Sequence, residues 1–248
     1  MTTRVYAPGN YRFISGVFQY SAGVAAQPGY RLTHVRLREP LPLGQGFARV
    51  EEIIGAAGRP LTAFAACELR SPAPFTEAGF KSFNELYVGT LARWGIYDGK
   101  TNPVARSNVC PAIDPPREPS LYAFSFTEPD ANAPPSFVVA GSGEAEEGHA
   151  NYRDHIVRLG DVGPSGLREK ARFVLAEMER RMGALGFAWK DANAVQLYTV
   201  HDIHPFAAEE IVRRGAARNG FTWHYCRPPV VDIEYEMDCR GVALERVL

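Results

Sequence analysis

Residues 46–69 read GFARVEEIIGAAGRPLTAFAACEL, and residues 173–197 read FVLAEMERRMGALGFAWKDANAVQL. In both stretches apolar residues recur every three or four positions, a glycine follows, and a short apolar run comes next. This order predicts a helix with one apolar face, a left-handed glycine cap and then a strand. A shift of 128 positions places Gly58 on Gly186 and aligns most of the apolar residues. We therefore expect the chain to contain a repeated unit.

The repeat extends in both directions from these stretches. Helical spacing returns between residues 80 and 91 and again between residues 206 and 212. Each copy then passes through an Ala-Arg step, a Pro-Pro turn and a final strand, SLYAFSF in the first copy and VDIEYEMD in the second. The stretch TEPDANAPPS is rich in Pro, Asn and Asp, as domain linkers are. We predict two modules, residues 1–130 and residues 131–248.

The composition describes an ordinary globular protein. The chain has 248 residues, of which 46% are hydrophobic and 22% charged, and its formal net charge is −1. With no Lys/Arg run, no nucleic-acid or anionic membrane partner is indicated. The N-terminal sequence MTTRVYAPGNYRF has no signal-type apolar stretch, and the four cysteines are scattered. We therefore expect a cytoplasmic protein with reduced thiols.

The strings around these elements resemble the RidA (YjgF) family. GAAGRPLTAFAACEL, PVARSNVCPAI, VAGSGEAE and DIEYEMD are similar to stretches of that family in order and spacing. The resemblance covers roughly residues 15–126 and 136–240. It implies an α+β fold of two tandem modules, each a mixed sheet backed by two helices in the chorismate-mutase-like manner. It also implies a homo-oligomer, typically a trimer with sites in clefts between subunits.

The same resemblance suggests residues that bind the substrate. Arg106 lies on the family position that binds the substrate carboxylate, a role suited to the planar guanidinium fork. Asn108 stands where many members have a small thiol or hydroxyl residue, so its role is open. A dicarboxylate needs two cationic anchors, and Arg218 and Arg227 are rival candidates for the second. An ordinary surface arginine is the alternative for each of the three.

Glu234 and Glu236 are the candidate catalytic groups. They alternate along the predicted last strand and so share a face. In the family, a glutamate on this strand helps to hold the attacking water. The first copy lacks both carboxylates, which suggests one composite site with Arg106 from one copy and a glutamate from the other.

Other polar residues carry weaker signals. Tyr20 and Ser142 are candidates for substrate contact, and Ser142 lacks a convincing triad for a nucleophilic role. The string YTVHDIHPF brings His201, Asp202 and His204 close together, but an isolated ligand pair in a turn argues against a metal. The resemblance implies neither a metal nor an organic cofactor.

The resemblance, together with these candidate residues, implies a cofactor-independent deaminase of a small enamine or imine carboxylate. Within the superfamily, the chain looks similar to the members that deaminate 2-aminomuconate and its 5-chloro derivative during aromatic degradation. Two alternatives remain open: a related hydrolase or isomerase acting on another small carboxylate, and a non-catalytic metabolite-binding member.

Overall fold

The computed structural model describes residues 1–146, 148–149 and 151–248. In this part of the chain the α-helices are α1 (Leu43–Ala56), α2 (Glu77–Arg93), α3 (Pro164–Ala184) and the single turn α4 (His204–Phe206), which continues as a π-helix (Ala207–Val212). The strands are β1 (Thr3–Tyr6), β2 (Tyr11–Ile14), β3 (Gly23–Ala26), β4 (Tyr30–Pro42), β5 (Phe64–Arg70), β6 (Ala105–Pro111), β7 (Ser120–Pro129), β8 (Phe137–Gly143), β9 (Ala194–Tyr198), β10 (Thr222–His224), β11 (Cys226–Arg227), β12 (Glu236–Gly241) and β13 (Leu244–Val247). Short 3-10 turns at Ala7–Gly9, Leu61–Ala63, Arg153–His155 and Trp189–Asp191 join some of them.

The strands form two mixed sheets, so the predicted α+β class is confirmed. One sheet has the order β11-β6-β5-β7-β4-β13, and the other has the order β1-β2-β3-β8-β12-β9-β10. Within them, β4-β7-β5-β6 and β8-β12-β9-β10 follow the same pattern, with the last pair parallel in both. The six-stranded sheet packs on α1 and α2, and the seven-stranded sheet packs on α3 and the π-helix.

The repeated stretches take the predicted local structure. Gly58 and Gly186 both adopt left-handed backbone angles, with φ of 65° and 80°, just after α1 and α3 end. A side chain with Cβ is strained in that conformation, which explains why glycine ends both helices. The strands β5 and β9 follow, as the apolar runs predicted.

The second copy departs from the prediction in two places. Its second helix is only α4 and the π-helix, in contrast to the long α2 of the first copy. Its last strand was predicted from Val231 but begins at Glu236, because Asp232 has φ of 73° and turns the chain first. The expectation that Glu234 and Glu236 alternate on one strand is therefore wrong.

Strand pairing crosses the predicted boundary at residue 130 in both directions. The N-terminal strands β1, β2 and β3 extend the seven-stranded sheet through β8. Strands β11 and β13, from the other end of the chain, extend the six-stranded sheet through β6 and β4. The division into residues 1–130 and 131–248 stays a prediction, and the two halves are interleaved.

The two sheets pack face to face, with the helices on the outside. Tyr11, Val24, Ala66, Ala105 and Ala140 belong to one buried cluster that contains strands of both sheets. No helix in the described ranges has the length and apolar character needed to cross a membrane.

A polar layer also lies between the sheets. Arg240 on β12 donates to the Glu68 carboxylate on β5, with 3.2 Å between Nη1 and Oε1. Burial by itself raises the pKa of the Glu68 carboxyl, but Arg240, His34 and Arg70 lower it to about 2. This ion pair joins the two sheets through charged groups that water scarcely reaches.

Candidate active site

Arg106 is a buried cation with one hydrogen-bond donor that has no partner among the described residues. It lies on β6, opposite Cys67 in the parallel register with β5, and is 3% exposed. Its Nη1 donates to Asn84 Oδ1 at 2.6 Å, and within the described residues its Nε has no hydrogen-bond partner and its guanidinium no carboxylate partner. A buried guanidinium without a counter-ion is costly, so the arrangement favours binding an anion.

Aromatic rings surround this guanidinium. The ring centroids of Tyr87, Tyr20, Phe80 and Phe83 lie 4.9, 5.1, 5.6 and 5.6 Å from its central carbon. Cation–π attraction offsets part of the desolvation cost while leaving the N–H groups available. Three of these rings come from the buried face of α2, so this helix shapes the anion site.

Arg106 opens into a cleft of about 440 Å³, part of it continuous with solvent, between the two sheets. Asn108, Glu236 and Tyr20 share this cleft with Arg106. The remaining lining residues are mostly apolar: Phe80, Gly141, Gly143, Ala145, Tyr152, Pro229, Val230 and Ile233. Strand β6 belongs to one sheet, and β8 and β12 belong to the other, so the cleft is composite.

Glu236 faces the cleft from the first position of β12. It is 4% exposed and pairs in register with Gly143 and Tyr198. A Cβ at Gly141 would collide with its carboxylate and would also press on Ser107 of β6. A glycine at this position therefore lets the two sheets approach closely enough to share one site.

Asn108 offers an N–H donor to the cleft. Its Oδ1 accepts from the Ser71 hydroxyl at 2.9 Å, and no described residue accepts a hydrogen bond from its Nδ2. Like the Arg106 Nε, this group is a buried donor without a partner among the described residues, in a residue that lines the cleft. Both suit the oxygens of a carboxylate or a carbonyl group.

The structure thus brings together four residues named from the sequence: Arg106, Asn108, Tyr20 and Glu236. The roles suggested for them stay predictions. Ser142 is buried on β8 and accepts a hydrogen bond from Arg181 at 3.3 Å, which turns its hydroxyl toward α3.

Glu234 and Arg227 form a separate pair outside this cleft. The Glu234 carboxylate is 3.1 Å from Arg227 Nη1 and 2.8 Å from His201 Nε2. With these partners Glu234 is engaged in a local surface network. The structure gives Arg227 no contact with the cleft and pairs it with a carboxylate instead.

Arg218 is also away from the cleft, on an exposed turn that lines an open depression with Trp189 and Val212. The strand register explains the discrepancy. Arg106 lies opposite Cys67 on the neighbouring strand, and the 128-residue repeat aligns Cys67 with Val195. In the second copy Thr222 lies opposite Gln196, so the residue before Thr222 corresponds to Val195. The counterpart of Arg106 is therefore Phe221, and the second copy has no arginine there.

Asn84 and Tyr152 are site residues that the sequence reasoning missed. Asn84 was detectable, because it is a polar residue on the apolar face of α2, four positions after Phe80. Tyr152 lies in the segment between β8 and α3 and lines the cleft, although no residue of that segment was named as a candidate. Nothing in its local sequence indicated that this segment returns to the cleft.

Neither candidate metal group has the geometry of a site. His204 Nδ1 is hydrogen-bonded to Asp202 at 2.6 Å, while His201 contacts Glu234. Glu146, His149 and His155 have ligand atoms within 4.8 Å of one another. The two histidine rings stack with planes 12° apart and centroids 3.6 Å apart, so their in-plane lone pairs do not converge on one ion.

The buried thiol beside Arg106 is unsuited to nucleophilic attack. Burial raises the pKa of the Cys67 thiol to about 12, although the hydrogen bond with Tyr87 and the nearby Arg106 charge lower it. The thiolate is the nucleophilic form, and it is scarcely populated near neutral pH.

Comparison with known proteins identifies the family. The chain matches the family model described as 2-aminomuconate deaminase CnbZ over residues 3–246. It is 53% identical over 246 residues to the 2-amino-5-chloromuconate deaminase of Comamonas testosteroni, with 98% of each chain covered.

One solved structure supports the fold over most of the chain, and a second matches less than half of it. A chorismatase structure covers 92% of this chain and 79% of its own, with a TM-score of 0.55 and 11% identity. The YjgF gene product of E. coli matches 44% of this chain and 80% of its own, with a TM-score of 0.31 and 15% identity. From the family match and the full-length relative, the chain belongs to the 2-aminomuconate deaminase CnbZ family.

Proposed function

We propose that this protein hydrolyses an enamine carboxylate, 2-aminomuconate or a chloro derivative, to a 2-oxo acid and ammonia without a cofactor. The observation that carries the proposal is the buried Arg106, open to a cleft that also holds the Glu236 carboxylate. The full-length likeness to a 2-amino-5-chloromuconate deaminase supports the substrate class.

In this proposal Arg106 binds the carboxylate next to the reacting carbon. Its fork and the Asn108 amide fix the orientation of the substrate, which lowers the entropic part of the barrier. The apolar walls, including Phe80 and Ile233, suit a flat conjugated chain. Neither Arg218 nor Arg227 lines the cleft, so the expected second cationic anchor is not part of this proposal. The second carboxylate instead points toward the open end of the cleft, where water keeps it hydrated.

Glu236 acts as the general base and acid. The enamine first takes a proton on carbon and loses one from nitrogen, which gives the imine C=NH, and water then adds to the imine carbon. Glu236 accepts one proton of that water as the C–O bond forms and gives it to nitrogen, so a neutral carbinolamine results. Glu236 then takes the hydroxyl proton and gives it to nitrogen, so the C–N bond breaks as ammonia leaves and the C=O bond forms. Both protons of the water thus end in ammonia.

A coupled ammonia assay with 2-aminomuconate tests the proposal. Wild type should release one ammonia per substrate, Arg106→Ala should lose at least a hundredfold in kcat/KM, and Glu236→Gln should lose kcat while still binding substrate. Glu234→Gln is the matched control, since Glu234 pairs with His201 and Arg227 outside the cleft. Tight binding without ammonia release would instead support a metabolite-binding role.

A further inference from the structure

A fully buried ion pair lies beneath one wall of the cleft. Glu144 directly follows β8, and Lys170 lies on α3. Both side chains are 0% exposed, and Lys170 Nζ is 3.1 Å from Glu144 Oε1.

Hydrogen bonds extend this pair to two further segments. Glu144 Oε1 accepts from the backbone N–H of Glu234 at 2.7 Å, and Oε2 accepts from that of Tyr235 at 2.8 Å. Lys170 Nζ also donates to the carbonyl of Val157 at 2.7 Å, and the Val157 N–H donates to the Glu144 carbonyl at 2.9 Å. One carboxylate and one ammonium thus connect the end of β8, the approach to β12, the segment before α3, and α3 itself.

These connected segments carry one half of the cleft. Gly143 and Ala145, on either side of Glu144, line the cleft. Ile233 and Glu236 also line it, and they lie on either side of Glu234 and Tyr235, whose backbone amides Glu144 binds. Tyr152, another residue of the cleft lining, lies between Glu144 and Val157, the two residues joined by the backbone hydrogen bond. The other half, with Arg106 and Asn108, lies on β6 and receives no bond from the pair.

Stability alone does not account for such a pair. Removing two charges from water costs several kcal/mol, and apolar residues of similar volume often serve the fold equally well. Burial raises the pKa of the Glu144 carboxyl, and Lys170 and the backbone N–H groups oppose that rise. The Glu144 carboxylate accepts three hydrogen bonds, one from the Lys170 ammonium and two from backbone amides, and these bonds give the pair a geometric role instead.

We infer that Glu144 and Lys170 are positioning residues that hold Glu236 and its wall of the cleft at a fixed distance from Arg106. They do not touch the cleft themselves and act through the backbone at Glu234 and Tyr235. The inference rests on the proposed function, since it assigns Glu236 to the chemical step and Arg106 to binding.

The test is the double variant Glu144→Leu/Lys170→Met, which replaces both charges by apolar groups and leaves neither partner buried alone. We expect a folded protein whose kcat falls at least tenfold while KM changes less than threefold, because Arg106 is untouched. Glu144→Asp, which keeps the charge and shortens the reach, should also lower kcat. Arg172→Met is the control: it breaks a pair with Glu210 on the outer side of the same helix and should leave kcat unchanged.

Hydrogen exchange separates this inference from the proposed function. The amides of Glu234 and Tyr235 should exchange at least tenfold faster in Glu144→Asp than in wild type, whichever substrate the enzyme takes. Absence of deamination by wild type would overturn the proposed function, whereas unchanged exchange would overturn the positioning role. An unchanged kcat in Glu144→Asp, or in the folded double variant, would also overturn it.

Discussion

Arg106 carries a positive charge at a position that water scarcely reaches. Among the described residues, its guanidinium has one hydrogen-bond partner, the amide oxygen of Asn84. Asn84 supplies that oxygen and is itself fully buried on α2. A neutral partner orients the guanidinium without cancelling its charge, and the charge stays available to the substrate.

Replacing Asn84 by Asp should therefore harm binding more than replacing it by Ala. The new carboxylate would form an ion pair with Arg106 and compete with the substrate, and we expect KM to rise at least tenfold. Asn84→Ala loses one charge-assisted hydrogen bond, about 1.5–3 kcal/mol at most, and should raise KM less. Steady-state kinetics check both, and an Asp variant with the KM of wild type would contradict this account of the anion site.

His34 predicts a pH dependence of stability. It is 2% exposed, and burial and Arg240 lower its pKa to about 4 from an ordinary value of 6.5. The folded chain keeps the ring neutral, so the unfolded chain binds more protons between pH 6.5 and 4. The free energy of unfolding is therefore highest above pH 6.5. It falls as the pH falls, by about 1–2 kcal/mol from pH 7 to 5.

Urea unfolding at pH 7 and pH 5 checks this sign. The stability loss should be about 1–2 kcal/mol smaller in His34→Gln than in wild type, and His204→Gln, on an exposed side chain, should behave as wild type. Asp238 opposes the trend in both proteins, because burial and Glu68 raise its pKa to about 6. An identical pH dependence in wild type and His34→Gln would show that His34 does not titrate in this way.

The sequence predicted Arg106 and Asn108 because a continuous string, PVARSNVC, carries them into a single strand. Asn84 and Glu144 were not predicted, since their contacts lie 22 and 91 residues away along the chain. Local patterns contain no information on such pairings, which only the packed sheets determine. Arg218 was misplaced for a related reason: a short Ala-Arg string was matched without knowledge of the strand register.

At the level of elements, the predicted helix and strand types hold where the apolar period is strong. Helices α1, α2 and α3 each bury one regular face, and the sequence shows that face. The short α4 and π-helix, and the late start of β12 after Asp232, depend on turns and tertiary contacts. Pattern reasoning is weakest at such boundaries.

Helix α2 also predicts a stability effect. The Thr76 hydroxyl caps its first turn by accepting from the Gly79 N–H at 3.1 Å. Thr76→Ala should cost about 1 kcal/mol, with Thr76→Ser close to wild type. Ser82→Ala, in an exposed position of the same helix, is the control. Thermal unfolding measures the three variants, and equal midpoints for Thr76→Ala and wild type would exclude a role for the cap.

At the scale of the whole molecule, each end of the chain completes a sheet begun by the other. Strands β1 to β3 join β8, and β11 and β13 join the opposite sheet. The sequence suggested two similar modules in succession. It could not show that strands from each end pair with the other module's sheet, because a strand's own residues do not indicate which edge strand it will pair with. The interleaving brings β6 and β12 together within one chain and so builds the cleft.

The central claim is that a single chain supplies both Arg106 and Glu236 to one site. Its most direct test is to co-refold equal amounts of Arg106→Ala and Glu236→Gln and to measure ammonia release from 2-aminomuconate. If the site lies within one chain, every site keeps one defect, and the mixture should be no more active than the separate variants. Recovery toward a quarter of wild-type activity would place the two residues on different chains and contradict the account.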